Sequence, residues 1–183
     1  MMSSFFFLTL FLLGMITWTF TEYALHRGLG HKRHKKNPFT VEHLLHHKKV
    51  NYFAKPSKKI LSASLVFTAM MSLLTLLAQV WIALSFSMGF ITMYLIYEVI
   101  HRRIHTHAPH NQYGRWMRKH HLHHHFKNPR VNHGVTTPFW DWIFGTLEIP
   151  DTVRVPQNLI LHWMLDLETG RPIESLQTDY DFK

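Results

Sequence analysis

The sequence predicts an all-α membrane protein: about three transmembrane helices, with a cytoplasmic helical cap that holds a histidine-rich dimetal site. Three observations predict this. The apolar residues lie in two long blocks, one sufficient for a single bilayer crossing and the other for two. All 20 Lys and Arg fall outside those blocks, on one side of a three-span layout. Finally, 17 of the 183 residues are His, and ten of them fall into four groups, three of these at helical spacings.

The first block ends at Leu25 and reads as a span over about residues 4–25. A cleaved signal peptide fits it poorly, because no basic segment precedes the run and no small-x-small site follows it. It is expected to be a retained membrane helix with the N-terminus outside. Residues 26–59 form the first cytoplasmic segment, with ten Lys or Arg against one acid, Glu42. Gly28 and Gly30 are expected to end the first helix just past His26, and Pro38 to start a helix carrying His43, His46 and His47. Residues 60–100 hold a single charge, Glu98, over a length suited to two spans, about 60–79 and 81–100. A tight turn near residues 79–87 would join them, with Trp81 at the interface. Residues 101–183 are the second cytoplasmic segment. Within it, Leu159–Leu167 suits an interfacial, capping or core role, and the polar tail from Gly170 is expected to be mobile. The whole of 1–183 reads as a single domain.

Composition also excludes function classes. There is no cysteine, which removes disulfides, thiolate zinc sites, iron–sulfur clusters and thiol catalysis, so a metal must sit on nitrogen or oxygen. The net charge of +9 is accounted for by topology and by anionic lipid, which leaves no reason to invoke nucleic acid. Metal transport or storage is the non-enzyme alternative. A transporter places ionisable groups along its path, and the three expected spans contain no His, Asp, Lys or Arg.

The densest cluster is Lys119–Phe126, where His121, His124 and His125 stand at i, i+3 and i+4 and share a helix face. His43, His46 and His47 repeat that spacing, His101 and His105 form an i, i+4 pair, and His26 with His31 opens the series. His34 competes for the place of His31, and His120 for that of His121. His123 is expected to be solvated, and His107, His110, His133 and His162 to be structural or exposed, with His110 and His133 the nearest to a supporting role. A closed zinc site takes four ligands, so ten imidazoles point to two ions with about five each. Imidazole suits iron, zinc, copper or nickel and does not choose among them. Open positions beside lipid point to oxygen chemistry on a membrane-dissolved substrate. Metal-bound histidines commonly give their other N–H to a carboxylate, which makes Glu22, Glu98 and Asp141 the candidates. Arg102 is the competing partner for Glu98, and an aromatic interface anchor is the competing role for the segment around Asp141.

These residues resemble the membrane fatty acid hydroxylase / sterol desaturase superfamily of histidine-box oxygenases. The resemblance rests on HxxxxH at His26 and His31, HxxHH at His43, His46 and His47, HxxxH at His101 and His105, and HxxHH at His121, His124 and His125. A trailing segment, Gly134 to Thr146, completes it, so that about residues 20–148 are covered. The resemblance implies a non-haem di-iron centre on those ten imidazoles, with zinc a substitute in purified protein. It also implies O2-dependent hydroxylation of a lipid C–H bond, most readily in a fatty acyl chain. Desaturation, sterol oxidation and carotenoid hydroxylation are alternatives of the same type. Electrons would come from an external donor such as cytochrome b5 or a ferredoxin with its reductase, in a bacterial inner membrane or the endoplasmic reticulum. Relative to larger members, a fused cytochrome b5 domain and one first span are expected to be missing.

Overall fold

The structure, a computed structural model, describes residues 3–31 and 37–183. His34, the alternative to His31, lies outside the described residues. Three helices are long and apolar enough to cross a membrane. The first, α1 (Ser4–Leu25), runs directly into one turn of π-helix, His26–Gly30. Next comes α2 (Pro38–Lys48), which starts on a proline whose missing N–H is no loss at a first helical position. Asn37 caps it, its side chain accepting from the Thr40 amide at 2.8 Å.

The two-span block forms α3 (Pro56–Leu77) and α4 (Val80–Thr106), with only residues 78 and 79 between them. The turn is therefore shorter and earlier than expected, because residues 80–87 contain neither Gly nor Pro and stay helical. α5 (Gln112–Phe126) begins at Asn111, whose side chain accepts from the Gly114 amide at 2.7 Å, and α6 (Phe139–Ile143) is a short helix after Pro138.

The chain divides into two compact units, the first being Met1–Glu22 with Ala54–Glu98. Here α1 and α4 meet backbone to backbone. A Cβ at Gly14 would stand 2.1 Å from the Phe86 carbonyl oxygen, and one at Gly89 would stand 1.9 Å from that of Phe11. Lipid gives no hydrophobic push between helices, so close approach at small residues supplies the packing. Trp18 fills in beside this contact, edge-on to Phe90 and Tyr94 with ring centroids 5.2 and 4.9 Å apart. α3 buries no residue, and Leu65, Val66 and Leu73 are exposed, as suits a lipid-facing helix. Trp81 is exposed as well. Lys59 on α3 forms an ion pair with Glu98. The acid expected beside a histidine, with Arg102 as competitor, is thus engaged by a lysine from the neighbouring helix.

The second unit is Tyr23–Phe53 with Val99–Lys183. Its apolar core joins Leu122 of α5 to Val50, Val153, Val155, Leu161, Trp163, Met164 and Tyr180. Leu161, Trp163 and Met164 give Leu159–Leu167 its core role. Strands β1 (Val153–Val155) and β2 (Tyr180–Phe182) pair in parallel, with Val153 opposite Tyr180. The all-α expectation is corrected to this extent: the described residues are mostly helical, with one two-stranded sheet. The tail needs a second correction. Tyr180 is 1% exposed, and Asp179 pairs with Arg115 and, at 3.2 Å, with Lys119. Two or three apolar residues are enough to dock a strand, yet too few to mark a polar tail as ordered.

Candidate metal centre

The ten expected histidines gather within the second unit into two groups of five. One holds His26, His31, His43, His47 and His124, and the other holds His46, His101, His105, His121 and His125. Within each group the nearest ring nitrogens all lie within 4.8 Å of one another.

Helix geometry explains the sorting. At about 100° per residue, positions i and i+4 lie about 40° apart, while i+3 lies about 60° to the other side. On α2, His43 and His47 therefore go to one group and His46 to the other. On α5, His121 and His125 go together, and His124 crosses over. The expectation that each triplet presents one shared face is refined: each triplet feeds both groups. The i, i+4 pair His101 and His105 on α4 stays together. His26 and His31 are five residues apart, which on an α-helix would place them about 140° apart. The π turn between them, with its i→i+5 repeat, brings both rings to the same group. Gly30 leaves room there, because a Cβ would stand 3.0 Å from the His43 ring. Thr40 ties the turn to α2 by donating to the Leu29 carbonyl at 2.9 Å. The two groups abut where His47 and His125 stack, with ring centroids 4.0 Å apart.

The ring nitrogens carry the test of whether a metal fits. His124 Nδ1 lies 2.6 Å from the Val131 carbonyl oxygen, His26 Nδ1 2.5 Å from that of His133, and His46 Nδ1 2.7 Å from that of Tyr52. A nitrogen facing a carbonyl must donate, so in the neutral ring Nε2 keeps a bare lone pair. Nevertheless, His124 Nε2 lies 2.9 Å from His26 Nε2, 3.0 Å from His31 Nε2 and 3.2 Å from His47 Nε2. In the other group, His105 Nε2 and His121 Nε2 are 3.0 Å apart, and both nitrogens of His125 are shielded from solvent without a hydrogen-bond partner among the described residues. Converging lone pairs repel unless a cation lies among them. Two imidazoles about 2.1 Å from one ion would be about 3.0 Å apart at a right angle. The residues fit a metal.

Electrostatics favour the neutral form of six of these rings. Burial pushes His31 down to about 4 and His47 to about 2, from an ordinary 6.5, and neighbouring imidazoles add to both shifts. Burial first, then the other imidazoles, also lowers His43, His121, His124 and His125.

Of the three candidate carboxylates, Asp141 lies against the site's supports. Fully buried, it accepts from the His133 and Gly134 amides at 2.8 and 2.7 Å and from the Thr146 hydroxyl at 2.8 Å. Burial raises its pKa, but hydrogen bonds from His120, Gly134, His133 and Thr146 outweigh this and leave it lowered. It holds the turn whose His133 carbonyl receives the His26 N–H. Glu22 is buried on α1.

His120 is buried outside both groups, its Nε2 3.5 Å from Asp141 and its ring stacked on Trp116. His123 is corrected: 8% exposed rather than solvated, it bonds to Glu148 at 2.8 Å because that side of α5 also packs inward. His133 packs against His26 and His124, while His110 bonds to Arg103. Sequence reasoning missed Asn132, fully buried at φ 56°, whose side chain ties the His120 and Glu148 backbones together. It also missed the carbonyls of Tyr52, Val131 and His133, which no side-chain signal could reveal.

Residues 11–146 match the fatty acid hydroxylase family profile. Over 152 residues the chain is 33% identical to a fatty acid 2-hydroxylase of Mus musculus, covering 79% of this chain and 41% of that protein. Over 138 residues it is 31% identical to a dihydroceramide fatty acyl 2-hydroxylase of Arabidopsis thaliana, covering 73% and 58%. A ceramide very long chain fatty acid hydroxylase of Saccharomyces cerevisiae is 31% identical over 150 residues, covering 78% and 38%. The solved structure of full-length scs7p, in which only the hydroxylase domain is visible, superposes with a TM-score of 0.66 at 26% identity, covering 83% of this chain and 60% of that one. The chain thus spans between 38% and 58% of the length of these three curated relatives.

Proposed function

The chain belongs to the fatty acid hydroxylase family, and from that premise we propose that it hydroxylates a fatty acyl chain of a lipid, with O2 as co-substrate and two iron ions held by the ten histidines. The observation that carries this reading is the convergence of neutral Nε2 lone pairs in two abutting groups of five. Bound iron would supply the activation of O2 and the oxidation of the C–H bond. The relatives' names refer to 2-hydroxylases and to acyl groups of ceramides, which supports attack at C-2 of a free or amide-linked acyl chain.

The chain's own residues do the holding. Carbonyls of His133, Val131 and Tyr52 keep the Nδ1 protons of His26, His124 and His46, so each Nε2 faces its group. Asp141 fixes the turn behind His26. Five donors per group exceed the four of a closed zinc site, which favours iron with further positions open. Reducing equivalents come from a separate donor such as cytochrome b5 or a ferredoxin. The substrate comes from the bilayer, since α4 is both an apolar span and the bearer of His101 and His105. Confinement of Lys and Arg to residues 26–59 and 101–183 supports an outside N-terminus and a site facing the cytoplasm.

The test is lipidomics on cells with the chain, without it, and with His124→Ala. Intact chain is expected to add 2-hydroxylated acyl lipids that the variant does not. New unsaturated lipids, or zinc flux in proteoliposomes without O2 consumption, would replace this reading.

A further inference from the structure

One turn before its first ligand, α5 carries a buried cation. Arg118 is 6% exposed, and among the described residues every hydrogen bond it makes ends on a backbone carbonyl. Nε donates to His107 at 2.9 Å, Nη1 to Gly114 at 2.9 Å, and Nη2 to Arg103 at 3.0 Å and Ala108 at 3.4 Å. Two of these acceptors follow α4 and one lies in its last turn. The guanidinium sits 5.8 Å over the Trp163 ring, and Trp163 Nε1 donates to the Ile104 carbonyl, also in that turn, at 3.2 Å. The last carbonyls of a helix lack intrahelical partners and carry its negative dipole end. A planar, fixed-charge fork suits them better than a flexible ammonium would.

We propose that Arg118 is a positioning residue for one of the two metals: it fixes the last turn of α4 on α5 and so sets the second group of histidines. That group draws His101 and His105 from α4 and His121 and His125 from α5, and the two helices meet at the 3.0 Å approach of His105 to His121. The first group takes no ring from α4. Two of its rings, His26 and His124, are oriented by the carbonyls of His133 and Val131. The two ions are therefore supported by separate devices and can be lost separately. This inference rests on the metal-centre reading above.

The test is titration of the metal-free full chain in detergent with Co(II) alone, read by absorption. Wild type is expected to take up two equivalents. Arg118→Met should keep one and bind the other about 10–100-fold more weakly. Its one-ion spectrum should match that of His105→Ala and differ from that of His26→Ala. Trp163→Phe, which removes the bond to Ile104 and narrows the ring beneath the guanidinium, should shift the same equivalent by less, and it serves if Arg118→Met does not fold. Two equivalents at wild-type affinity, or equal weakening of both, would overturn the inference. A wild type that binds no pair of ions would overturn the metal-centre reading itself.

Discussion

At the scale of single residues, each imidazole is defined by what its two nitrogens face. Nδ1 of His26, His46 and His124 gives its proton to a carbonyl, and Nε2 is left to the group. The spacing of the histidines exposed all ten side chains in the sequence. The carbonyls that orient them were hidden, because a backbone oxygen has no residue type. The same burial makes the metal-free protein acid-sensitive. Above about pH 6.5 an imidazole lowered by burial is neutral whether folded or unfolded, and it contributes nothing to pH dependence. As pH falls from there, the unfolded chain takes up protons that His31 refuses until about 4, so the folded state loses stability over that window. His43, His121, His124 and His125, also lowered, act in the same direction. Thermal unfolding of metal-free protein from pH 7.5 to 4.5 should show a midpoint that falls steadily below pH 6.5. A flat profile would mean that these rings are not buried in the neutral form.

At the scale of elements, the π turn and the glycine contacts do what an ordinary helix could not. HxxxxH reads as an awkward spacing for an α-helix, and the π turn makes its two rings neighbours. Gly14 and Gly89 sit in long apolar runs where nothing marks them as contacts, yet both backbones occupy the space a side chain would need. Gly89→Leu should therefore destabilise the packing of α1 on α4 by about 1–3 kcal/mol, as overpacking of a tight contact does. A lower unfolding midpoint in detergent, with α-helical circular dichroism kept, is the expected result. Gly28, which a Cβ would leave without any contact within 4 Å, is the control, and Gly28→Ala should leave the midpoint nearly unchanged.

At the scale of the molecule, the proposed topology rests on where charge can reside. A chain without cysteine lets this be read directly. Single substitutions Ala78→Cys, between α3 and α4, and Ser175→Cys, in the tail, should react with a membrane-impermeant maleimide from opposite sides. Residue 78 is expected to label in intact cells or spheroplasts, and residue 175 only after permeabilisation. The reverse pattern would place the site outside.

The sequence by itself determined the three long apolar helices and the identity of the ten clustered histidines. Hydropathy, composition and residue spacing are local properties that one chain can display. Only the tertiary structure decided that each HxxHH triplet feeds both groups, that Asp141 bonds the His133–Gly134 turn, that Arg118 of α5 bonds the carbonyls at the end of α4, and that the polar tail docks on α5. Those outcomes depend on which backbone carbonyls and which distant side chains fall within about 3 Å of one another, the range over which hydrogen bonds act. Residues as far apart as His26 and His124 meet at that range only after the chain has folded.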